Sequence, residues 1–294
     1  MLDIKCIENY KTYLRGVRRA SENTIVSYVN DVSNFMQFIP TNGKTNLSDV
    51  TQDDINSYIG FLKNNNKSQA TISRNISSLK AFYSHLIDTG VLATNPVSNI
   101  TMTKTEKKPP IILTGEEIKL ILKKPDIHDI KGCRDKAMFE ILYATGIRVS
   151  ELINLDETDI NTVTGLLTCR NVKERIIPIH ETAIKATRRY LSYARPKMIT
   201  TDEQALFVNT NGKRMTRQGF WKILKNYAEQ LEIHTAITPQ ILRNSFAAHL
   251  LENGANIKTL QEILGHSGIS STHAYARVVK QNLKDEYSKT HPRA

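Results

Sequence analysis

An arginine, a histidine and a tyrosine follow one another near the end of this 294-residue sequence, at Arg243, His266 and Tyr275. Pro239 suits the first turn of a helix, Ile241, Leu242, Phe246, Leu250 and Leu251 give that helix a buried side, and Gly254 ends it. A second short helix is expected from about Asn256 to Leu264, then a turn at Gly265-His266, then a third short helix carrying Tyr275. Three consecutive elements can therefore bring the three side chains to one point. A phosphodiester is the target that fits, because a guanidinium grips phosphate oxygens bidentately and a tyrosine hydroxyl can attack phosphorus. A lone tyrosine in a helix is ordinarily core material; here the combined spacing argues for chemistry.

A second segment, A-T-G-I-R-V-S-E-L from Ala144 to Leu152, has the same character. Gly146 closes one helix and Arg148 opens the next, where free backbone N–H groups and the positive helix end favour an anion. A surface salt bridge between Arg148 and Glu151 is the plainer alternative. Together the two segments resemble the signature of the tyrosine recombinases, the integrase-type site-specific recombinases. In that pattern H-x-x-R is followed by L-G-H and by a tyrosine nine residues on. Arg148, Arg243, Leu264-Gly265-His266 and Tyr275 match it, and Gln240 stands where its first histidine belongs.

The resemblance implies a division of labour. Arg148 and Arg243 would hold the non-bridging oxygens of the scissile phosphate, and His266 would donate or transfer a proton. Tyr275 would form a 3′-phosphotyrosine link, so that neither a metal nor any other cofactor is needed. The leaving 5′-oxygen takes its proton in this family from a lysine in a β-hairpin turn. Ungapped alignment on Lys173-Glu174-Arg175 puts Arg170 at that place, and arginine is a poor acid because its pKa exceeds about 12; Lys173, in the same turn, is the preferred candidate. Gln240 can donate to a phosphate oxygen but cannot shuttle protons.

These residues need elements to carry them, and the sequence reads as mainly α with a small β-hairpin or sheet. Residues 1–100 show four helical stripes: Ile7, Tyr10, Leu14; then Ile25 to Ile39, broken at Pro40, Asn42 and Gly43; then Ile55 to Leu62, capped by Thr51 with Asp54; then Ile72 to Leu86. Such a unit resembles the SAM-like core-binding domain of the same family, and its polar faces offer Arg18, Arg19, Lys67, Arg74 and Lys80 to DNA, with Arg170 a further contact from the hairpin. Residues 101–112, rich in Thr, Lys and Pro, read as a linker on which two modules close around a duplex. Residues 113–294 form the catalytic domain, opened by a Thr114/Glu117 capping box. Helices are expected at about 115–123, 134–145 and 148–155, a hairpin at 165–169 and 175–179 with Pro178 on an edge strand, and a helix from Glu181 stopped by Pro196. Thr216 caps another.

Composition agrees. The net charge is +11, of which residues 1–100 carry only +2 and the remainder +9, so a polyanion is the expected partner and the excess sits with the chemistry. The three cysteines, Cys6, Cys133 and Cys169, form no C-x-x-C pair and suit a reducing cytoplasm, and no apolar run has the length of a membrane span. The expected partners are double-stranded DNA and further recombinase protomers, as a homo- or hetero-tetramer on two DNA sites. The closing His291-Pro292-Arg293-Ala294, with no arm-binding domain ahead of the helical module, resembles the Xer recombinases, which resolve chromosome or plasmid dimers; a minimal mobile-element integrase is the neighbouring reading. The rival from another class is a DNA-binding member of a recombination complex with impaired catalysis, for which Gln240 and Arg170 speak.

Overall fold

The computed structural model describes residues 4–41, 43–44, 46–101, 109–170, 174–199, 202–231, 233, 237–266, 268 and 271–279. Lys173, most of the expected linker and the closing residues from 280 onward lie outside them. The chain divides into two compact units, Met1–Lys107 and Lys108–Ala294.

The first unit is built from α1 (Ile4–Gly16), α2 (Glu22–Thr41), α3 (Gln52–Asn64) and α4 (Gln69–Asp88). Tyr10, Ile25, Phe35, Tyr58, Phe82 and Tyr83 meet in one core. Local chemistry sets the helix starts: Thr51 and Asp54 form a reciprocal capping box on α3, and the Ser68 hydroxyl accepts from the Thr71 N–H on α4. Pro40 falls inside the last turn of α2.

The second unit centres on α6 (Ile130–Thr145), which packs against α5 (Gly115–Lys123), α7 (Val149–Asn154), α8 (Glu181–Arg189) and α10 (Pro239–Glu252). The Thr114 capping box on α5 is present. Helix α6 starts four residues before the expected Arg134, because the Asp129 carboxylate accepts from the Gly132 N–H at 2.9 Å. A three-stranded antiparallel sheet runs in the order β1 (Ile160–Asn161), β2 (Leu166–Cys169), β3 (Arg175–Pro178), with Thr168 opposite Ile176. Pro178 does lie on an edge strand; the two-residue β1 was too short to be read from periodicity.

The helix from Glu181 does not run unbroken to Pro196. After Arg189 the winding widens into a π-helix over Tyr190–Ala194 and tightens into a 3₁₀ turn, Arg195–Lys197, that contains the proline. This shift lets buried Tyr190 stack on Phe207 at 5.5 Å and lets Arg195 donate to the Ala205 carbonyl. The unit closes with α9 (Arg217–Gln230), α10, α11 (Ile257–Leu264) and α12, residues 271–279. Phe246, Ala247, Leu260, Leu264 and Tyr275 form a small apolar cluster of their own, which places Tyr275 against α10 and α11. Among the described residues no helix is long and apolar enough to cross a membrane.

Candidate active site

Arg243 sits on the buried face of α10 and is only 2 % exposed. Its guanidinium donates to the carbonyl of Gly146, to that of Leu264 at 2.8 Å, and to Nε2 of His266 at 3.0 Å. The ends of α6 and α11 are thereby pinned to one side chain. Both helices end on a left-handed glycine, and both positions need one for space as well. At Gly146 (φ +58°) a Cβ would overlap the Phe246 ring, and at Gly265 (φ +63°) it would lie 2.9 Å from the Arg175 guanidinium. Burial and the nearby Arg148 charge push Arg243 down to about 10, so it remains cationic at neutral pH.

The charge opposite it is Glu151, 4 % exposed. Arg175 forks onto this carboxylate with two hydrogen bonds of 2.9 and 3.0 Å, Arg148 stands 3.5 Å away, and Arg243 stands 4.0 Å away. Burial works against the charged form, but the Arg175 hydrogen bonds and the Arg148 N–H outweigh it and hold Glu151 below the usual carboxylate range. The Arg148–Glu151 salt bridge weighed as the plainer alternative is present as one edge of a cluster around buried Glu151, whose principal pair is Glu151–Arg175. Arg175 also donates to the Ile263 carbonyl at 2.8 Å, tying β3 to the turn that holds His266.

Since Arg243 must donate, His266 Nε2 must accept, and Nδ1–H is left to donate to the Thr272 hydroxyl at 2.9 Å. The imidazole is thus neutral. Burial, then the charges of Arg243, Arg148 and Arg175, push its pKa down to about 4. The Tyr275 ring lies nearly parallel to that of His266, 18° between planes and 6.4 Å between centres. Its hydroxyl donates to Oδ1 of Asn244 at 3.1 Å, and burial raises its pKa against the lowering influence of Arg243 and Arg148.

In front of Arg243 opens a cleft of about 660 Å³, lined by Arg148, Arg217, Trp221, Gln240 and Arg243 among others. Arg148 reaches it from the start of α7 with 47 % of its side chain exposed, and Arg217 and Trp221 reach it from the first turns of α9. Among the described residues no group of three or more His, Cys, Asp or Glu side chains could hold a metal ion. Two arginines on a concave wall, backed by a neutral imidazole and a phenol, form a cationic surface whose N–H donors suit the oxygens of an anion.

Residues 112–282 match the Phage integrase family, and residues 7–90 match the Phage integrase N-terminal SAM-like domain. The chain belongs to the phage integrase family. It is a tyrosine-type site-specific recombinase of Xer-like kind: it is 43 % identical to the tyrosine recombinase XerD of Oceanobacillus iheyensis over 98 % of both chains. The crystal structure of XerA recombinase matches at 27 % identity with a TM-score of 0.56, covering 99 % of each chain. A lambda integrase tetramer bound to a Holliday junction shares the fold at 18 % identity and a TM-score of 0.72, covering 92 % of this chain and 76 % of that one.

Against this family background, the structure brings together Arg148, Gln240 and Arg243 at the cleft and His266 and Tyr275 behind Arg243. Gln240 is exposed, and its amide donates to Asn244 Oδ1 at 2.9 Å. Arg170 is held by Asp159 at 2.7 Å. In the first unit Arg74 is engaged with the buried Asp31 at 2.6 Å, Lys80 with the carbonyls of Ser98 and Ile100, and Arg18 with the Tyr13 hydroxyl, whereas Arg19 and Lys67 are exposed. Sequence reading passed over Glu151 as an organiser, Arg175, Asn244, Arg217 and Trp221. Only Arg217 and Trp221 carried a local signal, a basic and an aromatic residue just after the Thr216 cap.

Proposed function

We propose that this recombinase cuts and rejoins double-stranded DNA in the manner of a Xer enzyme, with Tyr275 as nucleophile. What carries the reading is one observation: Arg243, drawn from α10, contacts His266 beyond α11, faces Arg148 from α7 across a shared carboxylate, and has Tyr275 from α12 beside it.

The scissile phosphate enters the cleft between Arg148 and Arg243, and the Arg243 donors now spent on backbone carbonyls turn to its oxygens. Bound phosphate offsets the cationic charge that depresses His266, so the imidazole regains basicity when substrate is present. Tyr275 Oη then bonds to phosphorus as its proton passes to His266, and the P–O5′ bond breaks. The departing 5′-oxygen takes a proton from Lys173, because Arg170 is ion-paired to Asp159 and an arginine does not give up its proton at working pH. Gln240 adds a neutral donor at the cleft wall. The tyrosyl ester keeps the energy of the broken bond, and the reverse attack by a 5′-hydroxyl reseals the strand. Arg19 and Lys67, exposed on the first unit, hold flanking phosphates. The assembly is a tetramer on two DNA sites in the cytoplasm, in line with the tetrameric lambda integrase relative, and its task is dimer resolution in the Xer manner.

The test is incubation with nicked duplexes bearing candidate core sites, read on denaturing gels. Wild type gives a covalent protein–DNA band and Tyr275→Phe gives none at equal DNA affinity. An adduct formed by the phenylalanine variant would place the nucleophile elsewhere.

A further inference from the structure

Asn244 is 7 % exposed and lies one residue past Arg243, yet no reading of the sequence singled it out. Its carboxamide is engaged at both ends. Nδ2 donates to the Ile111 carbonyl at 3.3 Å, while Oδ1 accepts from Gln240 Nε2 at 2.9 Å and from the Tyr275 hydroxyl at 3.1 Å. The amide has one orientation open to it, because a backbone carbonyl can only accept: the NH₂ must face Ile111, and the oxygen must face Tyr275. Beside it, the Ser245 hydroxyl accepts from the Leu113 N–H at 2.9 Å, so residues 111–113, just past the start of the second unit at Lys108, are fastened to α10 at two consecutive positions.

An amide oxygen cannot take up a phenolic proton. The bond therefore stabilises Tyr275 as the neutral phenol and aims its hydrogen at a partner that will never remove it. The neighbouring groups are likewise engaged within the protein: Arg243 with the Gly146 and Leu264 carbonyls and with the Tyr275 oxygen, and His266 Nε2 with Arg243.

We propose that Asn244 is a positioning residue that holds the Tyr275 hydroxyl in a resting place, with its amide oriented by the Ile111 carbonyl, and that this bond opens before Tyr275 can react. The reactive role of Tyr275 rests on the function proposed above; the hold on its ring does not.

The test separates the two. In the DNA-free protein, nitration of Tyr275 by tetranitromethane is followed by peptide mass spectrometry. Asn244→Leu, which keeps the bulk and removes the acceptor, speeds nitration of Tyr275 about 3- to 10-fold, the size of one hydrogen bond's net contribution. Asn244→Asp, which offers a charged acceptor, slows it. Opposite signs at one position are not what general loosening of the fold produces, and if the leucine variant fails to fold, the aspartate variant alone decides. Unchanged nitration in a folded variant, or acceleration in both, overturns the proposal. On nicked duplexes at saturating DNA the same order holds for the covalent adduct, leucine faster than wild type and aspartate slower; a slower leucine variant would make Asn244 an aid to the reaction and overturn the resting hold. An adduct from Tyr275→Phe refutes only the nucleophile assignment and leaves the nitration result standing.

Discussion

The two units handle buried charge in opposite ways. In the first, Asp31 is buried and paired with Arg74, whose side chain is 41 % exposed, and burial leaves the Asp31 pKa raised despite that partner. In the second, Glu151 is equally buried but is ringed by Arg148, Arg175 and Arg243, and its pKa is lowered. The same carboxylate chemistry is tolerated in one place and wanted in the other. A protein interior accepts surplus positive charge only where something anionic compensates it, and the second unit keeps more cation near its cleft than Glu151 can neutralise. The function proposed above assigns that remainder to a phosphate.

The largest expected effect tests that surplus. Arg148→Ala should lower the single-turnover rate of adduct formation about 100- to 1,000-fold at saturating DNA, as loss of a preorganised donor to a developing charge does. Arg74→Ala, in the first unit, should leave that rate within about 2-fold, since its guanidinium serves Asp31. A small effect at Arg148 would erase the distinction between the units.

Next in size are the two carboxylates themselves. Glu151→Gln leaves Arg175 and Arg243 uncompensated and should cost about 3–5 kcal/mol in urea denaturation. Asp31→Asn removes a charge its site disfavours and should cost less than about 1 kcal/mol. Equal losses would mean that burial alone, and not the ring of arginines, governs both sites.

The pH dependence follows with a definite sign. His266 has its pKa lowered from 6.5 to about 4, so between those values the unfolded chain binds a proton that the native protein does not, and stability falls as pH drops through that window. Glu151 adds to the loss at still lower pH, because its stabilisation is present above the ordinary carboxylate range and disappears as the pH falls through its lowered pKa. Asp31, with a raised pKa, contributes in the reverse direction on acidification. His266→Asn should flatten the slope of stability between about pH 4 and 6.5; an unchanged slope would show that the imidazole is not held neutral.

The smallest effects sharpen the comparison on the DNA side. Arg19→Ala and Lys67→Ala should each reduce the slope of log K against log salt by about 1, whereas Arg74→Ala should change it little, because its charge is committed to Asp31. Identical slopes for all three would return Arg74 to the set of phosphate contacts.

Much of the fold was legible because it is locally determined. The Thr51/Asp54 and Thr114/Glu117 boxes, the left-handed glycines 146 and 265, and Pro178 on the edge strand are decided by residues within one turn of each other, and the apolar stripes of α1 to α4 follow from the helical period. That Arg243, His266 and Tyr275 come to one place was likewise legible, from their spacing on consecutive elements. What the sequence could not order was the set of partners. Arg175 lies 24 residues from Glu151 and 88 from Ile263, Arg243 lies 97 from Gly146, and Asn244 lies 133 from Ile111, and no local rule pairs groups so far apart. The π-helical widening at Tyr190–Ala194 belongs with these, since the Tyr190 ring at its start stacks on Phe207, outside the reach of any local rule. By itself, therefore, the sequence determined which residue types stand at these spacings and which element carries each. Tertiary structure alone decided their state: Glu151 ionised by three arginines, His266 neutral and accepting, and Tyr275 a buried phenol held by Asn244. Ionisation and hydrogen-bond direction depend on the field and solvent exclusion created by groups brought together through space.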